Sequence, residues 1–198
     1  SVGASSGNIN LGAGDDKIEV TGAQTGKITG GAGSDTFVIS NTTAGTATIA
    51  DLGATDILQV TGTATVNVVE SFTATAATTN AATTTTLNLK DGVNVDMTLA
   101  TLTAATNGYT IKTDAAVTTG ATIVGSRGVD FITGSKFADT ITGGEGADTI
   151  TAGAGADTII LTESVSTADI VRIDTIAESV TSANFKTIHN FVSTVDKI

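Results

Sequence analysis

Apolar side chains recur at every ninth residue in the second half of the chain. The eighth position of four consecutive nonapeptides is isoleucine: Ile132, Ile141, Ile150 and Ile159. Each isoleucine is the centre of a triplet with threonine on at least one side, which predicts a short strand with one inward side chain. Glycines precede each triplet and predict tight turns with positive φ. The four units run without insertion as GSRGVDFIT (125–133), GSKFADTIT (134–142), GGEGADTIT (143–151) and AGAGADTII (152–160).

A less regular block with the same period opens the chain. LGAGDDKIE (11–19) and GGAGSDTFV (30–38) carry an aspartate at the sixth position and an apolar residue at the eighth. VGASSGNIN (2–10) and TGAQTGKIT (21–29) keep the apolar residue but have glycine at the sixth position. The repeating unit of this block is therefore a pair of nonapeptides.

Two nonapeptides, read as turn, strand, turn and strand, close one flattened coil. Stacked coils pair their strands in parallel and align the inward Ile, Val and Phe side chains in a narrow apolar row. The sixth-position aspartates then align along the turn edges, one coil apart, at about 4.8 Å. Stacked carboxylates repel one another unless a cation lies between them. A hard cation with oxygen ligands, above all Ca²⁺, is the natural partner.

The unit GGEGADTIT resembles the GGxGxDxUx repeat of the RTX (repeats-in-toxin) proteins, a calcium-binding β-roll motif. In that family, turn carbonyls and aspartate side chains coordinate calcium between repeats n and n+2. The resemblance covers well under half of the chain and implies three calcium ions, one in the first block and two in the second. The implied aspartate pairs are Asp16 with Asp35, Asp130 with Asp148, and Asp139 with Asp157.

The calcium ligands that the resemblance implies are these aspartates and the turn glycines around them. They are Gly12, Gly14, Asp16, Gly31, Gly33, Asp35, Gly125, Gly128, Asp130, Gly134, Asp139, Gly144, Gly146, Asp148, Gly153, Gly155 and Asp157. Three turn residues depart from the family pattern and predict weaker binding: Ser126, Ser135 and Phe137. Gly7 and Gly26 stand where the family has aspartate, so no calcium is expected at that edge of the first block.

Each block is followed by a similar segment, TIADLGATDILQV (48–60) and TIHNFVSTVDKI (187–198). RTX proteins commonly carry such a segment after the roll, where it resembles a cap; the alternative is a pair of ordinary strands with turns. We therefore predict an all-β fold with two right-handed parallel β-roll modules, cap segments and a Thr/Ala-rich β spacer. The domains are 1–60 (first roll plus cap), 61–115 (spacer) and 116–198 (second roll plus cap).

Regions outside the repeats carry weaker signals. Alternating apolar residues around Asp91-Gly92 predict a β-hairpin, and Asn107-Gly108 predicts the start of a second one. Residues 182–189 predict a short helix with Ser182 as its N-cap. The aspartates outside the repeat position are expected to be solvated or turn-capping, with Asp51 or Asp196 as candidates for an extra calcium ligand: Asp15, Asp51, Asp56, Asp169, Asp174 and Asp196.

Composition narrows the function. The net charge of −11 argues against nucleic acid and anionic membranes as partners. The chain has no cysteine, which excludes disulfides and fits export, and no apolar run long enough for a transmembrane helix. His189 is the only histidine, so an HExxH zinc site is impossible, and no GxSxG motif occurs. We expect no enzyme activity. The chain begins within a repeat, which suggests a piece of a longer protein.

These features predict a calcium-binding structural fragment of a secreted bacterial surface-layer (S-layer) protein of the type I-secreted RTX kind. Abundant Thr, Ala and Gly, few Lys and an acidic pI near 4.2 are similar to those proteins. Calcium would drive folding and self-association into a lattice at the cell surface. Two alternatives stay open: an RTX adhesin or biofilm protein, and the C-terminal export region of a type I-secreted enzyme.

Overall fold

The computed structural model describes residues 1–40, 47–82, 85–165, 167–173 and 186–198. These residues form β-strands and turns, and they include no helix, hence none that could span a membrane. Within these ranges all strand pairs are parallel. The first sheet has nine strands in the order β1 (Ile9–Ala13), β3 (Lys27–Ala32), β5 (Ala47–Leu52), β7 (Ala64–Val68), β10 (Thr85–Leu89), β13 (Thr110–Thr113), β15 (Phe131–Thr133), β17 (Thr149–Thr151) and β19 (Ile170–Arg172).

Two smaller sheets complete the coils. The second sheet contains β2 (Lys17–Val20), β4 (Thr36–Ile39), β6 (Ile57–Val60), β9 (Thr79–Asn80) and β12 (Thr101–Leu102). The third contains β8 (Phe72–Thr73), β11 (Val95–Asp96), β14 (Thr122–Val124), β16 (Thr140–Thr142), β18 (Thr158–Ile160) and β20 (Thr187–His189). The chain is therefore an all-β parallel solenoid, as predicted.

One inward row of apolar side chains runs along the first sheet through the whole described stack. Each strand contributes a β-branched residue or leucine, and all of them except the partly exposed Ile9 are buried. The row consists of Ile9, Ile28, Ile49, Val66, Leu87, Ile111, Ile132, Ile150 and Val171. The domain boundaries predicted after residues 60 and 115 fall between neighbouring strands of this sheet, so the independent folding of each segment stays a prediction.

The middle of the stack differs from both repeat blocks. In the first block the chain alternates between the first and second sheets, and in the second block between the first and third. The two coils β7–β8–β9 and β10–β11–β12 instead place a strand in all three sheets. A three-sided coil encloses more space than a two-sided one, and large side chains are buried in this region: Phe72 on β8, Met97 after β11 and Tyr109 before β13.

Both predicted hairpins are wrong. Strand β10 pairs in parallel with β7 and β13, whereas β11, which follows the Asp91-Gly92 turn, belongs to the third sheet. Gly92 has φ +72° and turns the chain from one sheet to another. The turn before β13 likewise leads into a parallel strand, so Asn107-Gly108 starts no hairpin. Alternation and turn residues mark a strand–turn–strand unit but leave the partners of each strand open.

Two further expectations also need correction. Segment 48–60 contains β5 and β6, each paired on both sides, so it lies within the stack and does not cover its end. Segment 187–198 contains β20, which pairs with β18 at the edge of the third sheet. The predicted helix over 182–189 is wrong at 187–189, which form β20, and Ser182 lies outside the described residues, as does Asp174.

Candidate metal centre

Where a glycine turn stacks on the turn before it, its second and fourth positions leave no room for a side chain. The turn glycines of the acidic repeats adopt positive φ: Gly12, Gly14, Gly31, Gly33, Gly144, Gly146, Gly153 and Gly155. A Cβ built at Gly31 would lie 1.8 Å from the carbonyl oxygen of Gly12, and one at Gly144 would lie 2.1 Å from that of Ser126. The carbonyl oxygens of each turn thus face the backbone of the turn stacked on it.

The remaining predicted glycines make room for the aspartates or for the stacked turn. A Cβ at Gly125 would lie 2.7 Å from Oδ2 of Asp130, and one at Gly134 would lie 2.6 Å from Oδ2 of Asp139. The carbonyl oxygen of Gly128 lies against the Cα side of Gly146. Sequence reasoning left out two glycines that hold the same first position beside Asp35 and Asp148, namely Gly30 and Gly143.

The structure brings together all three predicted aspartate pairs through one recurring hydrogen bond. The backbone N–H of the aspartate in one coil donates to Oδ1 of the aspartate in the next. The N···O distance is 3.0 Å for Asp16 to Asp35, 2.8 Å for Asp130 to Asp148, and 2.9 Å for Asp139 to Asp157. Each carboxylate therefore keeps a fixed position above its neighbour, with the second oxygen left for another partner.

The same hydrogen bond continues beyond the repeats, where the aspartates are buried and not solvated. Asp56 and Asp196 cap turns as expected, since their Oδ2 atoms accept the N–H of Gly53 at 2.7 Å and that of Val192 at 2.8 Å. Asp35 donates to Asp56 at 2.9 Å, Asp148 to Asp169 at 2.9 Å, and Asp169 to Asp196 at 3.2 Å. The three added aspartates are 6%, 1% and 7% exposed, respectively. Asp51 lies outside this row and caps the turn of the preceding coil, since it accepts the N–H groups of Gly30 and Gly31.

A sequence signal for these three residues exists, although no glycine turn precedes them. An apolar residue follows each aspartate two positions later, as Ile150 follows Asp148.

The aligned carboxylates form three rows, which we call ladders and define by their residues. The first-block ladder is Asp16–Asp35–Asp56, the long ladder is Asp130–Asp148–Asp169–Asp196, and the short ladder is Asp139–Asp157.

The ladders hold carboxylates that burial alone disfavours. Asp148 has no exposed surface, and among the described residues its Oδ2 has no hydrogen-bond partner. Burial, together with the neighbouring charges of Asp130 and Asp169, raises the pKa of Asp148 to about 9. Burial likewise raises the pKa of Asp130 and of Asp169 to about 6. A buried row of like charges requires either protons or a counter-cation.

The second-position serines satisfy two of the carboxylates within the chain. The Ser126 N–H donates to Oδ2 of Asp130 at 2.6 Å, and its hydroxyl lies 2.9 Å from the same oxygen. The Ser135 N–H donates to Oδ2 of Asp139 at 2.6 Å. Asp148 follows a glycine turn and keeps its Oδ2 free, which gives a physical reason for weaker binding at the serine turns.

These donors fit a calcium ion. Unpaired buried carboxylate oxygens also occur at Asp16 and Asp35 in the first block. No three His, Cys, Asp or Glu side chains converge anywhere in the described ranges. A bound ion would therefore take part of its six to eight oxygens from the stacked turn carbonyls, which the glycines leave unobstructed. Hard oxygen donors of this kind suit Ca²⁺ better than a transition metal.

Comparison with known proteins agrees with this assignment for the second block. The family of the RTX calcium-binding nonapeptide repeat matches residues 124–159, in four copies. No curated protein matches the chain. No solved structure matches it either. The matched residues include both aspartate pairs of the second block, and the first block lies outside them. The chain therefore carries RTX calcium-binding nonapeptide repeats within an all-β parallel solenoid, as the resemblance implied.

Proposed function

We propose that this chain is a calcium-binding structural segment of a secreted bacterial S-layer protein. In this role Ca²⁺ drives folding and then lattice assembly at the cell surface, and the chain has no catalytic function. One observation carries the calcium part of the proposal: Asp148 is fully buried, lies between two further aspartates and has one carboxylate oxygen without a partner.

Calcium would supply the positive charge that the ladders lack. The chain's own residues position the ligands, since the N–H···Oδ1 bonds fix each carboxylate and the glycine turns expose their carbonyl oxygens. Without the ion the ladders repel, and folding loses free energy. Extracellular calcium modules bind at roughly 10⁻⁴–10⁻³ M. A metal-poor cytosol would thus leave the chain unfolded and ready for export.

The surface supports a structural role in a lattice. The net charge of −11 over 198 residues gives a surface that calcium can also bridge between copies. The strand faces that point away from the core are rich in threonine, as in the TIT sequences of β16 and β17. The chain has few lysines, and because it has no cysteine it exposes no thiol outside the cell. These features are similar to those of type I-secreted S-layer proteins.

Two measurements test the proposal. Isothermal titration with CaCl₂ should show saturable binding that MgCl₂ does not reproduce, together with a gain of β signal in circular dichroism. If neither Ca²⁺ nor Mg²⁺ binds, the calcium role is overturned. Electron microscopy on a supported surface should then show ordered arrays in calcium and none after chelation. Calcium binding by a chain that stays monomeric and forms no arrays would contradict the S-layer part and leave the calcium role intact.

A further inference from the structure

The short ladder ends at a lysine. Thr158 pairs with Thr187 across strands β18 and β20, so Lys186 stands at the position that follows Asp157 in the next coil. At the corresponding position the first-block ladder continues with Asp56, and the long ladder continues with Asp169. The short ladder is therefore the one that meets a positive charge where the other two meet a further carboxylate.

The lysine ammonium occupies a cradle of oxygens. Its Nζ lies 3.0 Å from Oδ2 of Asp157 and donates to the carbonyl oxygen of Gly155 at 3.4 Å. The Lys186 side chain is 4% exposed and that of Asp157 is fully buried. A carboxylate oxygen and a fourth-position turn carbonyl are the kinds of donor that the ladders offer to calcium. Because an unpaired buried ammonium is costly, this contact holds the lysine in place.

The equivalent carbonyls elsewhere receive neutral donors. The Thr55 hydroxyl donates to the Gly33 oxygen at 3.0 Å, and the Thr167 hydroxyl donates to the Gly146 oxygen at 2.6 Å. In both cases the next coil lacks the glycine turn, and its threonine hydroxyl donates a hydrogen bond to the carbonyl oxygen of the last glycine turn. Lys186 does the same and adds a charge.

We infer that Lys186 is a built-in cation that takes the place of calcium at the end of the short ladder. This inference rests on the proposed calcium role. The short ladder is neutralised by the chain itself after Asp157, whereas the long ladder depends on added metal. Calcium binding is thereby confined to the coils whose ladders lack a lysine, and the coil that carries β20 packs on β18 without a metal ion.

Two variants test this inference. Lys186→Asp restores a carboxylate at the ladder position, and isothermal titration should show one more calcium ion per chain than in the wild type. Lys186→Met removes the charge and keeps the stem, and it should lower the melting temperature in excess EGTA by several degrees. Lys112→Met is the matched control, because Lys112 is exposed on β13, and it should melt as the wild type does.

Each outcome bears on the inference. An unchanged stoichiometry in a folded Lys186→Asp variant would overturn it. If that variant does not fold, the Lys186→Met variant decides, and a melting temperature equal to that of Lys112→Met in EGTA would overturn the inference. Failure of the calcium role is distinguishable, since the wild type would then bind no calcium while the Lys186→Met effect in EGTA would remain.

Discussion

Replacing Asp148 with asparagine should have effects of opposite sign with and without calcium. The substitution keeps the shape of the side chain and removes one charge from the middle of the long ladder. The Oδ1 atom still accepts the Asp130 N–H, which lies at 2.8 Å in the wild type. Burial and the adjacent carboxylates raise the pKa of Asp148 to about 9, against 3.8 for an exposed carboxyl. At neutral pH the folded chain without metal therefore keeps a proton that the unfolded chain releases.

The magnitude follows from this difference in pKa. Between pH 3.8 and pH 7 each pH unit removes about 1.4 kcal/mol of stability, or about 4 kcal/mol in all for this carboxyl. Asparagine cannot ionise and so avoids this loss of stability. Its buried amide lowers the free energy of unfolding by about 1–3 kcal/mol if the N–H groups find no acceptor. We expect Asp148→Asn to stabilise the calcium-free chain by about 1–3 kcal/mol at pH 7. In saturating calcium the variant should be less stable than the wild type, because it has lost a charged ligand.

Urea denaturation at pH 7 measures both effects, once in excess EGTA and once in millimolar CaCl₂. Circular dichroism follows the strands, and fluorescence of the single tyrosine, the buried Tyr109, follows the core because the chain has no tryptophan. Glu19→Gln removes the same charge from an exposed position on β2 and serves as the control. An Asp148→Asn chain that is less stable than the wild type in EGTA would refute the reasoning from buried charge. An unchanged response to calcium would show that Asp148 is not a ligand.

Three further predictions follow from the same geometry. Chelation of a calcium-loaded sample should unfold residues 116–160 above all, and the β signal of the whole chain in circular dichroism should fall as a result. An unchanged spectrum would contradict the coupling of calcium binding to folding. Gly144→Ala should destabilise far more than Gly92→Ala in thermal melting. Both glycines have positive φ, but a Cβ at Gly144 would lie 2.1 Å from a stacked carbonyl oxygen, whereas a Cβ at Gly92 would have no atom within 4 Å. The Gly92 variant should lose only the roughly 1–2 kcal/mol that a left-handed backbone costs an L-residue. In EGTA, stability should be greatest below about pH 4 and fall as pH rises towards about 9, because the pKa values of the long ladder are raised on folding. With calcium the trend should be reversed, since binding requires ionised carboxylates, and a flat pH profile in EGTA would exclude the buried-charge argument.

The repeats predicted the second block well because two constraints coincide there. The triplet around each isoleucine specifies a strand with one buried side chain. The glycines before it mark a tight turn, which has positive φ at Gly144, Gly146, Gly153 and Gly155. The constant spacing then sets the register, so the pairs Asp130–Asp148 and Asp139–Asp157 follow from counting. The all-β parallel fold could be predicted on the same basis.

The rest of the chain was harder to predict because long-range packing decides it. The pattern around Leu87 and Val95 describes two strands in any arrangement, and the choice between hairpin and solenoid depends on neighbouring coils. Asp169 and Asp196 join the long ladder through backbone register, and their only mark in the sequence is the apolar residue two positions later, since no glycine turn precedes them. Lys186 shows the same limit, since its role becomes visible only when Thr187 is placed beside Thr158.

The continuous first sheet also determines how folding can proceed. Partners in the inward row are close in sequence, from 17 residues apart (Ile49 with Val66) to 24 (Leu87 with Ile111). Each coil contacts its two neighbours, so the stack behaves as a one-dimensional array whose stability is a sum of coil and interface contributions. Folding can then start at the coil that first binds a cation and spread one coil at a time. Two adjacent coils are enough to begin, and each later coil adds to a template that already exists.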